Sequence, residues 1–250
     1  MKPASRGTAP AASTSSVLQL GCPATSPASV RAAIDSGADC VRVPYETAGM
    51  TLRNTRNERL AEAVRYAHRR ARKFVLDLAM PAGATWGERS AALAWAEQCG
   101  VDAVVLSDAA LAAYSAVRHP ALRVHALAPP SVCARTARLM AVQLNAARIL
   151  VPSTVSTAQL VEIVSAAGVE IELMDVDHDP VEGDAACNDA WFSADRRREQ
   201  ALARLPLLAS LGVRAVQVGT ESDMPRELAM LVRRWRHAID RCLARPGILP

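Results

Sequence analysis

The chain has 250 residues, half of them hydrophobic, only 4% aromatic, and a formal net charge of +4. That length suits one large domain or at most two small ones, with enough apolar residues for one sizeable core. The basic residues are spread through the sequence instead of forming a stripe interleaved with aromatics, which argues against nucleic-acid binding. No apolar run reaches the roughly 18 residues of a membrane span.

Residues 1–16, MKPASRGTAPAASTSS, are small, polar and proline-containing. They lack the apolar segment of a secretory signal and read as a disordered tail, so a cytoplasmic protein is expected, with the folded domain over 17–246. The first apolar run is Val17–Cys22, followed by a helix from Ser26-Pro27 to Gly37. Cys40–Pro44 is the second run. A longer loop (Glu46–Asn57) leads to a helix over Glu58–Arg70, and Lys73–Ala79 is the third run. The next helix ends at the sequence EQCG, before Ala103–Asp108. Ala109–Val117 and Ser131–Leu144 read as helices on either side of the run Arg123–Ala128. Arg148–Pro152, a helix over Thr157–Ala167, Val169–Met174, Ala215–Gly219 and a long amphipathic helix over Pro225–Ala244 complete the series.

Short, near-continuous apolar runs suit strands buried on both faces, and their alternation with helices implies parallel pairing. Eight such units in this length predict the α/β class and a single closed (β/α)8 barrel of the TIM type. The joints SGADCVRV and QCGVDAVVL repeat one helix–Gly–x–Asp–strand pattern, as such a barrel requires. One segment breaks the series. Asp175–Arg196 is acidic, aperiodic and too long for an ordinary strand–helix connection, and it carries Trp191-Phe192. It is expected to be a lid or a partner-binding loop.

A barrel of this type carries its chemistry at the carboxyl ends of the strands. Candidate catalytic residues there are His125, Asp77, Asp108 and Glu221; Cys22, Tyr45, Ser107, Ser153 and Thr220 stand at equivalent positions. Candidate metal ligands are His125, Asp175, Asp177 and His178, whose imidazole and carboxylate donors suit a divalent ion. The structural alternatives are a helix cap for Asp108, a solvated turn for Asp175–Asp179 and a hydrogen-bonded core residue for His125. The six cysteines, at 22, 40, 99, 133, 187 and 242, form no C-x-x-C pair, so free thiols are expected. Basic residues are almost all Arg, with Lys only at 2 and 73; with abundant Ala this suggests a bacterial, GC-rich source.

Four stretches are similar to the collagenase-like peptidase family U32. They are LGCPATSPASVRAAIDSGADCVRV, RNERLAEAVRYAHRRARKFVLDLA, EQCGVDAVVLSDAALAAYSAVRHPALRVHAL and LGVRAVQVGTESDMPRELAMLVRRWRHAIDRCLARP. The last resembles the UbiU subgroup, whose members pair with UbiV in oxygen-independent ubiquinone biosynthesis and hold a four-iron four-sulfur cluster on cysteines. The resemblance implies an accessory role in that pathway and a heterodimer with a cluster-bearing homologue. The cluster itself does not carry over: where UbiU has a Cys-x6-Cys element ending in Gly-Arg-Cys after strand seven, this chain has only Cys187. No cofactor is therefore expected. The family's Lys-x-Glu-Gly-Arg at the end of strand eight is replaced by Gln217, Gly219 and Glu221, and its strand-six Pro-Arg by Pro152-Ser153. The alternative is an enzyme, a metal-assisted lyase or hydrolase or a peptidase, using the Asp and His residues named above.

Overall fold

Leu18, Leu20 and Cys22 bury themselves against the surrounding helices, while Gln19 and Gly21, the residues between them, face the opposite way. This period of two recurs on every strand. The computed structural model describes residues 18–45, 57–78, 84–176, 198–219 and 224–244. The tail over 1–16 lies outside these residues.

The strands are β1 (Gln19–Pro23), β2 (Cys40–Pro44), β3 (Lys73–Asp77), β4 (Ala103–Leu106), β5 (Arg123–Leu127), β6 (Ala146–Pro152), β7 (Glu170–Met174) and β8 (Ala215–Gln217). All pair in parallel in sequence order, and β8 pairs with β1 to close the barrel. The helices are α1 (Pro27–Asp35), α2 (Asn57–Arg69), α3 (Trp86–Gln98), α4 (Ala109–Arg118), α5 (Ala134–Gln143), α6 (Thr157–Ala167), α7 (Leu205–Ser210) and α8 (Pro225–Leu243). Residues 198–203, ahead of α7, are also helical. This is the (β/α)8 barrel expected from the sequence.

Local chemistry sets the helix starts. Ser26 exchanges hydrogen bonds with Ser29 ahead of Pro27, and Thr85 with Glu88 and Ser156 with Gln159 form reciprocal caps. α5 begins three residues later than the sequence suggested. Val132 N–H donates to the Pro129 carbonyl at 3.0 Å, so the chain spends residues 129–132 on a turn and Cys133 becomes the N-cap.

The repeated Gly-x-Asp joint has a specific use. Asp39 N–H donates to the Leu20 carbonyl and the Asp39 carboxylate accepts from Leu20 N–H, both at 2.9 Å. Asp102 does the same to Phe74, at 3.0 and 2.7 Å. Each aspartate thus locks the foot of its own strand to the preceding one.

Outward-facing side chains, from Leu20 to Val216, form the main core with the helices, where Trp235 and Phe74 are wholly buried. The inward-facing residues stack in rings of four, because the register advances by one residue per strand and closes after one circuit. From the amino-terminal end the rings are Gln19, Lys73, Arg123, Glu170; then Cys40, Ala103, Arg148, Ala215; then Gly21, Val75, His125, Glu172. Above these come Arg42, Val105, Leu150, Gln217, and at the mouth Pro23, Asp77, Leu127, Met174. Most such rings are aliphatic; here each carries at least one charged residue.

Candidate functional site at the barrel mouth

The charged residues inside the barrel divide into two tiers. In the lower tier Arg148 is 3% exposed and fully engaged. Its Nη1 donates to Glu172 at 2.8 Å, its Nε and Nη2 to Glu170 at 3.0 and 2.6 Å, and its Nη2 to Gln19 at 2.7 Å. Burial works to raise Glu170, but the hydrogen bonds and charge of Arg148 hold it below the usual carboxylate range. Cys40 lies in this tier. Burial, reinforced by Glu172, pushes its thiol up to about 12 and leaves it inert.

In the upper tier Arg42 extends toward the opposite wall. Its Nη1 lies 3.2 Å from the Met174 sulfur, and its Nε is 3.7 Å from the Asp77 carboxylate. Gln217 shares its ring. This side chain is 1% exposed, and neither its oxygen nor its nitrogen has a hydrogen-bond partner among the described residues.

Asp77 stands at the mouth as expected, facing Arg42, and its backbone carbonyl accepts from Tyr45 N–H at 2.8 Å. Asp108 lies beyond the end of β4. Its carboxylate caps α4 through Leu111 N–H at 3.0 Å and pairs with Arg89 at 3.2 Å. This is the structural alternative weighed from the sequence.

His125 sits one ring below Arg42, 7% exposed. Burial, followed by the positive charges of Arg148, Arg123, Lys73 and Arg42, pushes it down to about 3. The imidazole is therefore neutral at physiological pH, and the surrounding cations oppose binding of another positive charge. Asp175 is exposed, just past β7, with φ of 49°. Its carbonyl accepts from the Ser153 hydroxyl at 3.1 Å, while Val176 N–H turns inward to the Gln217 carbonyl at 3.2 Å. Glu221, Asp177, His178 and the Trp191-Phe192 pair lie outside the described residues.

Among the described residues no three His, Cys, Asp or Glu side chains converge as a metal-binding group. The described cysteines are dispersed in the same way. Cys22 lies in the outer core, Cys40 inside the barrel, Cys99 and Cys242 against the helices, and Cys133 on the surface. Such a set does not fit an iron–sulfur cluster, which needs about four thiolates at one point.

Sequence reasoning missed Arg42, Arg148 and Glu172, and named Gln217 only as the residue at the family's strand-eight Lys position. The available signal was the alternation within strands: in CVRVP and EIELM the polar residue sits at every second position, between residues that pack outward.

The sequence model for peptidase family U32 matches residues 25–176, from just after β1 to just after β7. Among solved structures, one described as native KDPGal superposes with a TM-score of 0.58 at 11% identity, covering 91% of this chain and 97% of that one. A protein from Burkholderia cenocepacia J2315 assigned as a phosphonomutase superposes with a TM-score of 0.53 at 15% identity, covering 90% and 92%. At these identities the likeness to solved structures is one of fold.

Proposed function

The chain belongs to peptidase family U32, and from that premise we propose that it is an accessory, partner-binding barrel of the UbiU type, acting in oxygen-independent ubiquinone biosynthesis without an iron–sulfur cluster of its own. What supports the reading is how the described candidate residues are spent. Asp108 caps a helix and pairs with Arg89, Asp77 faces Arg42, and His125 stays neutral among cations. None of them meets another as a nucleophile and base would. The family match ends at residue 176, where UbiU carries its ligand-bearing segment and this chain has a single cysteine, Cys187. The expected partner is a family homologue that holds the cluster.

Two measurements test the proposal. Co-expression with a cluster-bearing family barrel should give a stable complex on size exclusion, with iron assigned to the partner alone. A deletion strain should lose ubiquinone under anaerobic growth and keep it in air. Normal anaerobic ubiquinone, or about four irons per copy of this chain purified alone under nitrogen, would overturn it.

A further inference from the structure

We propose that the chain pairs with a second copy of itself through the outer face of α4, antiparallel across a two-fold axis. The inference is independent of the accessory reading and rests on where the barrel leaves apolar surface uncovered.

Five of the eight large hydrophobic side chains exposed among the described residues lie on consecutive helices: Trp86 on α3, Val117 on α4, Leu139 and Val142 on α5, and Val161 on α6. The described residues of α1 and α2 hold none, so the apolar surface is confined to one flank. Trp86 is 50% exposed, with its ring edge-on to Tyr114 of α4 at 5.4 Å, and Val117 is 78% exposed. Within this flank α4 is unusual. Its inner residues Leu111, Ala112 and Ser115 are buried. Its exposed residues Ala109, Ala110, Ala113, Ala116 and Val117 are all apolar too, and the first exposed polar side chain is Arg118 at its end. A helix that is apolar all round is normally a covered one.

Symmetry and charge identify what covers it. The exposed positions 109, 110, 113, 116 and 117 are spaced evenly about Ala113, three and four residues to either side. An identical helix running antiparallel about an axis at Ala113 therefore meets the same pattern in reverse. Ala116 faces Ala110, Val117 faces Ala109, and the alanines let the two helix axes approach to about 8 Å. The ends match as well. Asp108, five residues before the axis, is partly exposed, and Glu88, next to its partner Arg89, is exposed. Arg118, five residues after the axis, is exposed and has no partner among the described residues. The two-fold brings Arg118 of each copy to Asp108 of the other, so both ion pairs form together. Parallel pairing sets Arg118 against Arg118 instead.

A stable interface buries roughly 800 Å² a side, more than one short helix offers. The flanking apolar residues supply the remainder. Val117 and Val142 are the penultimate residues of the neighbouring helices α4 and α5, so they stand at the same end of the barrel, while Trp86 extends the face on the α3 side.

The test is sedimentation velocity of the full chain across the micromolar range. The wild type should sediment at twice the mass of one chain. Ala113→Glu places two carboxylates on the axis and should give a monomer. Its circular dichroism should be unchanged, because the position is exposed and Glu is a good helix former. Arg118→Asp sets like charges together at both ends and should weaken the dimer about tenfold or more. Mixing Arg118→Asp with Asp108→Arg restores opposite charges at both ends and should give a mixed dimer tighter than either variant forms alone. A monomeric wild type, whether or not another barrel binds the same face, would overturn the proposal. So would a dimer that survives Ala113→Glu, or a mixture no tighter than the separate variants.

Discussion

Arg236 Nη1 lies 2.9 Å from Asp39 Oδ2, tying the last helix to the foot of the second strand across 197 positions of sequence. The same carboxylate oxygen accepts from Leu20 N–H, and its other oxygen pairs with Arg72. One side chain therefore joins β1, β2, the α2–β3 turn and α8. Gly37, two residues earlier, has φ of 106°, and a Cβ there would come within 2.8 Å of Arg236 Cγ.

Asp39→Ala should cost about 2–3 kcal/mol, since it removes charge-assisted bonds and strands a backbone N–H. Asp240→Ala breaks only the exposed i,i+4 pair with Arg236 and should cost less than about 0.5 kcal/mol. Urea unfolding of the two variants checks the difference; equal losses would show that Asp39 does not hold the closure.

Arg148→Met should destabilise the fold by about 3–5 kcal/mol, because buried Glu172 would lose its ion-pair partner and Glu170 would keep only the longer contact to Arg214 at 3.9 Å. Adding Glu170→Gln and Glu172→Gln should recover at least half of that loss. If the triple variant is no more stable than the single one, the penalty comes from packing and not from charge.

His125 should make stability depend on acid. Its folded-state value is pushed down to about 3 from an ordinary 6.5, so the unfolded chain takes up the proton first. The stability it preserves is complete above about pH 6.5 and is lost as pH falls toward 3; the loss from this residue by pH 5 is about 2 kcal/mol. His125→Gln should flatten the fall in unfolding free energy between pH 7 and pH 5. An unchanged slope would show that the imidazole is protonated inside the barrel.

Among the described cysteines, Cys133 should react first with iodoacetamide. It is exposed at the start of α5, and hydrogen bonds from Thr136 lower its thiol below the usual range. Cys40, raised to about 12, should remain unmodified until the protein unfolds. Peptide mass spectrometry of a labelling time course reads the order, and early modification of Cys40 would contradict its placement inside the barrel.

The barrel was legible in the sequence because each strand is an apolar run of the right length between amphipathic helices. The cap at Asp108 was legible too, since it immediately precedes the helical run. The Gly-x-Asp joint was visible as a repeat, but its use was not. That Asp39 and Asp102 reach back to Leu20 and Phe74 depends on strand pairing, which spacing along the chain does not encode. The interior was read least well. His125 was placed at the mouth because it lies in a strand, whereas the register sets it one ring below Arg42, among cations supplied by four other positions. Arg148, Glu170 and Glu172 looked like ordinary strand residues because their partners are made by β6 lying beside β7. Gln217 stood out only as the replacement for the family's strand-eight Lys, and its burial in the ring with Arg42 follows from the closure of β8 on β1.

The tie between Arg236 and Asp39 also bears on the order of events during synthesis. Translation delivers β1 and its neighbours early, but β8 and α8 emerge last, so the growing chain presents an open curved sheet with two unpaired edges. Such a sheet gains its final hydrogen bonds only through contacts between distant parts of the sequence, the slowest kind to form. Ribosome-bound chains that stop before Pro225 should therefore be protease-sensitive and prone to associate edge to edge. Release of the last helix, with Trp235 entering the core and Arg236 reaching Asp39, is the step that gives the nascent barrel its protection.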